Sequence, residues 1–303
     1  MKELYPMRGV ITTVNTPFNE DLTINWSDLR RTAEAALEAG VSGFLAPCFA
    51  SEIDELTNEE RYRMVTELLD VTHQAGHGIV MPNVRGKTKD DCVEQAKRYL
   101  DLGVDGVNIF MPTVTEESYR ELVAAVDELH PPFLCLQDTK DNELRAPFVK
   151  SMFDEFESFR CIKIETANPG PDYTAILKAT DGRLNVSGSW GSDQMIEAFD
   201  RGIHALMPSG LFELFVNVYR LYHEKSREAA MKLFFDILPI IVFTRQSDSA
   251  NLSLHKRYFQ RLGLYTTTKF RASFAVDAVQ AHYIEEMIDR ALYIRDHMDQ
   301  YWQ

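Results

Sequence analysis

Only four cysteines occur in 303 residues, Cys48, Cys92, Cys135 and Cys161, and no two are spaced as C-x-x-C. That scarcity implies neither a disulfide framework nor a zinc-ligand spacing, and it fits a reducing, cytoplasmic setting. Basic residues are also in short supply: 32 Lys and Arg face 46 Asp and Glu, a formal charge of -14. That balance has the wrong sign for nucleic acid or an anionic membrane surface, so neither is expected as a partner. No apolar run approaches the length of a membrane span, and the opening residues MKELYPMRGV lack a signal-peptide core. A G-x-G-x-x-G opening a helix after the first strand is missing, which disfavours a doubly wound sheet. His73 and His77 have an H-x3-H spacing, but Gly76 falls between them at a predicted helix end, so they are read as a surface pair. Neither a metal nor a cofactor is expected.

What is present is a 45% hydrophobic chain in which short β-like runs alternate with longer amphipathic ones. The runs at 8–14, 42–46, 77–82, 105–111, 132–137, 160–165, 183–188 and 204–209 read as eight strands. Helices are expected near 25–39, 57–74, 88–101, 115–129 and 145–156. Two stretches, EAGVSGFLAP and DLGVDGVNIF, resemble each other as repeated β/α units would, each ending a helix and restarting a strand with Gly. Eight such units match the size of an α/β fold of the (β/α)8 TIM-barrel type. Beyond residue 225 the strands stop, and 227–245, 252–262 and 272–298 read as helices. The expectation is a barrel over 1–226 with a C-terminal helical extension over 227–303 packed on it.

Strand six, RCIKIE, carries Lys163 between Ile162 and Ile164. Period-two alternation turns Cys161, Lys163 and Glu165 toward the barrel interior, near the end where such barrels keep their active sites. A desolvated lysine there loses its proton easily and becomes a nucleophile able to form an imine with a carbonyl carbon. The plainer reading pairs Lys163 with Glu165 for packing alone.

Several further stretches occur in the order and spacing of one family. GVSGFLAPCFASEIDELTNEER (40–61), IKIETA (162–167), VSGS (186–189), the start RGVITTVNTPFNED and the helical tail resemble the dihydrodipicolinate synthase/N-acetylneuraminate lyase family. The resemblance covers essentially the whole chain. It implies a class I aldolase-type TIM barrel, commonly a homotetramer, whose strand-six lysine, here Lys163, forms a Schiff base with a 2-oxo acid such as pyruvate. It also implies that Gly188 and its neighbour Ser189 let substrate approach that lysine.

The chain departs from the family at the residues around that lysine. The usual G-T-T-G-E turn reads Cys48, Phe49, Ala50, Ser51, Glu52, so the carboxylate clamp is reduced to Ser51. The usual Y-N-x-P reads Leu136, Gln137, Asp138, Thr139, which puts Leu136 in place of the relay tyrosine. An aromatic pair after strand four is replaced by MPTV (111–114), and Lys140 and Asp141 stand where an arginine is expected. These changes argue against authentic dihydrodipicolinate synthase but leave imine chemistry open. By parity, Glu165 and Asp138 are the replacement proton carriers, and Arg85 is a substitute anion anchor. Their plainer readings are an ion pair, a loop carboxylate and an exposed arginine. SGSWGS (187–192) resembles a phosphate loop in composition, and Trp190 either walls the pocket or packs under a helix. SANLSLHKRYFQRLGL (249–264) is read as scaffold, and Phe234, Phe235 and Phe243 as core or subunit contacts.

The leading expectation is therefore a lyase, aldolase or dehydratase acting through Lys163 on a 2-oxo acid or related carbonyl substrate, less polar than pyruvate at the end that faces Phe49, Ala50 and Leu136. The alternative is a small-metabolite-binding barrel in which the lysine is a remnant.

Overall fold

The structure, a computed structural model, describes residues 2–110, 115–139, 144–189 and 192–303. Met111–Val114, Lys140, Asp141 and Trp190, singled out above, lie outside the described residues. Among the described residues nine short strands follow in chain order: β1 (Gly9–Thr13), β2 (Gly43–Leu45), β3 (Ile79–Val80), β4 (Asn83–Val84), β5 (Val107–Ile109), β6 (Leu134–Thr139), β7 (Phe159–Glu165), β8 (Asn185–Gly188) and β9 (Ala205–Leu206). All pairings are parallel, in the order β3-β2-β1-β9-β8-β7-β6-β5-β4. The two ends of that order are halves of one strand interrupted at Met81 and Pro82. Met81 donates its N–H to Phe44 on one side, while the Pro82 carbonyl accepts from Asn108 on the other, both at 2.9 Å. The sheet therefore closes on itself as an eight-stranded barrel, the TIM-barrel architecture.

The helices between strands start and stop where local chemistry dictates. α1 (Trp26–Glu38) is capped by Asn25, and α2 (Asn58–Ala75) by a reciprocal Thr57/Glu60 box; α3 (Lys89–Asp101), α4 (Glu116–Asp127), α5 (Ala146–Glu155), α6 (Pro169–Ala179), α7 (Met195–Asp200) and α8 (Phe212–Arg220) follow. α2 ends at Gly76, whose φ of 72° suits a residue without a Cβ. Outward strand residues such as Ile162, Ile164, Leu134 and Leu136 pack in the layer between sheet and helices. Ile11, Leu45, Met81, Cys135, Cys161, Ala205 and Met207 form a separate, smaller cluster inside the barrel.

From Arg227 onward the strands give way to four helices: α9 (Arg227–Thr244), α10 (Asp248–Arg261), α11 (Ala278–Asp296) and α12 (Asp299–Trp302). α10 starts four residues before the expected position because Ser247 caps it by accepting the Ala250 N–H. α11 starts later, at an Asp277 cap, and residues 265–277 before it run without helix across the barrel mouth loops. Phe234 and Phe243 are buried, whereas Phe235 is 58% exposed. Among the described residues no helix is long and apolar enough to cross a membrane.

Candidate active site

Lys163 stands on β7 with Gln137 of β6 as its register partner on one side and Ser187 of β8 on the other. Its two isoleucine neighbours go to the outer layer, which forces the lysine inward. The side chain is 5% exposed, and its ammonium lies 3.2 Å from Glu165 Oε2. Glu165 is the more open of the two at 16%. A carboxylate so placed is both the lysine's counter-ion and a group that can exchange a proton with it directly.

Glu165 is held from two further sides. The Gln137 amide donates to Oε2, and the Ser189 hydroxyl donates to Oε1 at 2.6 Å. Ser189 also lies 3.0 Å from the Met207 carbonyl, but its single proton is better used on the charged oxygen. Behind Gln137 the network continues: Asn108 of β5 donates to Gln137 Oε1 at 2.9 Å and to Asn83 of β4. Asn83, Asn108, Gln137 and Lys163 are each less than a tenth exposed. Asn108 and Gln137 thus donate in series toward the carboxylate, while the second Asn108 proton goes the other way, to Asn83. Asn108 Oδ1 is left buried without a hydrogen-bond partner.

Thiols flank the lysine. Burial pushes the pKa values of Cys48 and Cys135 up, Cys135 being raised also by Cys161, and in both the Lys163 charge pulls the other way. All four cysteines are free and buried.

Other sequence-predicted residues are placed differently. Alternation through the Y-N-x-P alignment turns Leu136 and Asp138 inward, whereas the register pairs them with Ile162 and Ile164. Leu136 packs in the outer layer because both Leu134 and Leu136 are drawn into the sheet–helix core, which leaves Cys135 and Gln137 for the interior. Asp138 is 1% exposed and accepts the Leu144 N–H at 2.8 Å. Gly188 likewise faces outward. A Cβ there would meet the Tyr173 hydroxyl at 2.8 Å, not the lysine, because Tyr173 of α6 (Pro169–Ala179) fills the space beside it. The Ser51 hydroxyl is committed to the loop itself, donating to Val14 O at 2.5 Å and accepting the Cys48 N–H at 3.1 Å. Arg85 forms a two-bond fork on Asp54, both contacts at 2.7 Å, and stacks over Phe110 on the rim. Among the described residues, no group of three or more His, Cys, Asp or Glu is placed to hold a metal ion.

Sequence reasoning assigns no role to Gln137, Asn108 or Asn83. The signal was available: a lone amide in an otherwise apolar strand, as at Gln137, raises the same question as a lone lysine.

Comparison with known proteins agrees with this architecture. The sequence model of the Dihydrodipicolinate synthetase family matches residues 6–129, a stretch that ends before Lys163. An uncharacterized DapA-like lyase of Halobacterium salinarum is 26% identical over 236 residues, covering 74% of this chain and 75% of the relative. A 4-hydroxy-tetrahydrodipicolinate synthase of Salinibacter ruber is 30% identical over 122 residues, 40% of each chain. Among solved structures, dihydrodipicolinate synthase of Rhodopseudomonas palustris superposes with a TM-score of 0.87 at 20% identity, covering 96% of this chain and 100% of that one. The 4-hydroxy-tetrahydrodipicolinate synthase of Methylacidiphilum fumariolicum reaches 0.88 at 16% identity, with 98% and 100% covered. With its closed barrel, its helical tail and an inward lysine on the sixth strand, the chain is similar to the dihydrodipicolinate synthase family, by sequence over residues 6–129 and by fold over nearly its whole length.

Proposed function

We propose that the chain is a class I aldolase-type lyase in which Lys163 forms an imine with a 2-oxo acid or a related carbonyl compound, and Glu165 moves the protons. The lyase reading rests on the family relatives, and the mechanism rests on one observation: the buried ammonium of Lys163 and the Glu165 carboxylate 3.2 Å apart. The Gln137 and Ser189 donors hold the Glu165 carboxylate beside the ammonium proton it must take.

Chemistry starts when that proton passes to Glu165, leaving a neutral amine. The amine attacks the carbonyl carbon, one of its remaining protons passes to the oxygen, and Glu165 returns the first proton to that hydroxyl as water leaves. The resulting iminium withdraws electrons from the neighbouring carbon–carbon or carbon–hydrogen bond, and Glu165, again a carboxylate, accepts the proton released. Reprotonation and addition of water regenerate the lysine. Ser189 and Gln137 keep the carboxylate aimed throughout, and Glu165 takes the relay that the resemblance assigns to a tyrosine on the neighbouring strand. Asp138 plays no part in this scheme. Arg85 is the proposed rim anchor, exchanging the Asp54 carboxylate for that of the substrate. The cytoplasmic and homotetrameric setting implied by the resemblance belongs to the same proposal.

The test is intact-protein mass spectrometry after sodium borohydride, with pyruvate and a panel of longer 2-oxo acids. An adduct of the mass of one reduced oxo acid supports the reading and names the substrate class. No adduct with any of the panel moves the weight to a binding barrel without imine chemistry.

A further inference from the structure

The molecule contains a second buried lysine, and nothing in the proposed chemistry uses it. Lys256 of α10 is fully buried, with its ammonium 2.6 Å from Glu52 Oε1 and 2.7 Å from the Lys269 carbonyl. The rings of Phe18 and Phe270 close over it at 4.6 and 4.1 Å. The other oxygen of Glu52 accepts the backbone N–H groups of Arg271 and Ala272, both at 2.9 Å. One carboxylate thus joins a tail helix and the strap at 265–272 to the loop after β2.

That loop matters because of what precedes Glu52. Cys48, Phe49, Ala50 and Ser51 leave the top of β2 beside Lys163, and Cys48 and Ala50 belong to the barrel-interior cluster. Glu52 itself has φ 55° and ψ 44°, a left-handed conformation that non-glycine residues rarely adopt. It has to be held there by contacts. The neighbouring loop after β1 is tied into the same assembly: Asn15 donates to Ala50 O at 3.1 Å and Thr16 to Ser51 O at 2.6 Å. From the strap, the Tyr265 hydroxyl donates to Asn15 O and Thr267 to Phe18 O, both at 2.5 Å.

We propose that Glu52 and Lys256 are positioning residues through which the C-terminal extension fixes the loop that walls the Lys163 site, so that the extension is a working part of the site. This deepens the imine reading and rests on it for its functional arm. The pair touches no reacting atom. It determines where Phe49 and Ala50 stand, and a displacement of about an ångström in such a wall is enough to change rates by roughly 100-fold.

The experiment uses the full chain and compares wild type with Lys256→Met, the double variant Glu52→Gln/Lys256→Met, and Arg261→Gln. Arg261 ties α10 to α11 on the surface, so its variant loosens the tail without touching the loop. The first readout is hydrogen exchange of the 48–56 amides in variants shown by circular dichroism to be folded. Faster exchange confined to 48–56 in Lys256→Met, absent from Arg261→Gln, supports the proposal. The second readout is the oxo-acid concentration giving half-maximal borohydride trapping, expected to rise about tenfold or more in Lys256→Met. The double variant, which leaves no uncompensated charge, should recover part of that loss.

Unchanged exchange over 48–56 together with unchanged half-saturation in a folded Lys256→Met protein overturns the proposal. If Lys256→Met does not fold, the double variant carries both readouts alone. A wild type that traps no oxo acid overturns the imine reading instead, and the exchange data still decide whether the tether holds the loop.

Discussion

Two acids near the mouth are assigned opposite roles, and substituting each of them separates those roles. Glu165→Gln keeps the size of the side chain and its place beside the Gln137 and Ser189 groups, but removes the carboxylate 3.2 Å from Lys163 that is proposed to exchange a proton with it. General acid–base contributions of this kind are worth roughly 10²- to 10⁴-fold in turnover, so kcat should fall by that much. Asp138→Asn retains an oxygen to accept the Leu144 N–H, now made at 2.8 Å, and should cost about 1 kcal/mol of stability. Because the side chain faces the helices, kcat should stay within about threefold of wild type, a barrier change well under 1 kcal/mol. Asp138→Ala leaves that N–H orphaned, at about 1–3 kcal/mol. At about 2 °C per kcal/mol for a chain of this size, its Tm should drop by about 2–6 °C. The assays are steady-state kinetics on whichever oxo acid is trapped and thermal unfolding by circular dichroism. The reasoning is refuted if Asp138→Asn abolishes turnover in a stable protein while Glu165→Gln does not.

Other substitutions probe the surroundings. Gly188→Ala forces a methyl to within 2.8 Å of the Tyr173 hydroxyl and 3.2 Å of Ile203 Cδ1, so unfolding should show a loss of about 1–3 kcal/mol; a stable variant with raised half-saturation would return Gly188 to the substrate path. Arg85→Gln should raise the half-saturating concentration of a carboxylate substrate and Asp54→Asn should lower it, since Asp54 now occupies the guanidinium fork; no change in either excludes Arg85 as the anchor. His204 accepts the Val186 N–H at 2.9 Å, and burial, helped by Arg8, lowers its pKa from 6.5 to about 4. Between those values the unfolded chain takes up a proton that the folded one refuses, so stability is complete above pH 6.5 and falls toward pH 4, by about 3 kcal/mol in total. His204→Asn keeps an acceptor for Val186, and denaturant unfolding between pH 7 and 4.5 should show a flatter decline; an unaltered slope would place the titration elsewhere.

How legible this was depended on the kind of signal. The strand and helix order could be read because short β-like runs alternate with longer amphipathic ones, and glycines such as Gly76 mark the helix ends locally. Lys163 and Glu165 could be read because a charge inside an apolar strand needs a partner, and the nearest of the same parity is two residues on. Parity on the neighbouring strand could not be carried over in the same way. β6 and β7 slip by one residue between the Leu134 and Cys135 pairings, and only the assembled register shows that Gln137 and not Leu136 stands beside the lysine. Gly188 and Asp138 misled for a related reason, since their surroundings come from α6 and from Leu144, which sequence spacing does not place. The Glu52–Lys256 pair joins residues 204 apart, and no local pattern connects them.

The central claim is that Lys163 is the nucleophile, and the direct measurement is peptide mapping of the borohydride-reduced adduct. Lys256 is the rival, since burial lowers its pKa to about 8 against the opposing pull of Glu52. The account predicts a modified peptide containing Lys163, an unmodified Lys256, and no adduct in Lys163→Arg. An adduct on Lys256, or one that persists in Lys163→Arg, would contradict it.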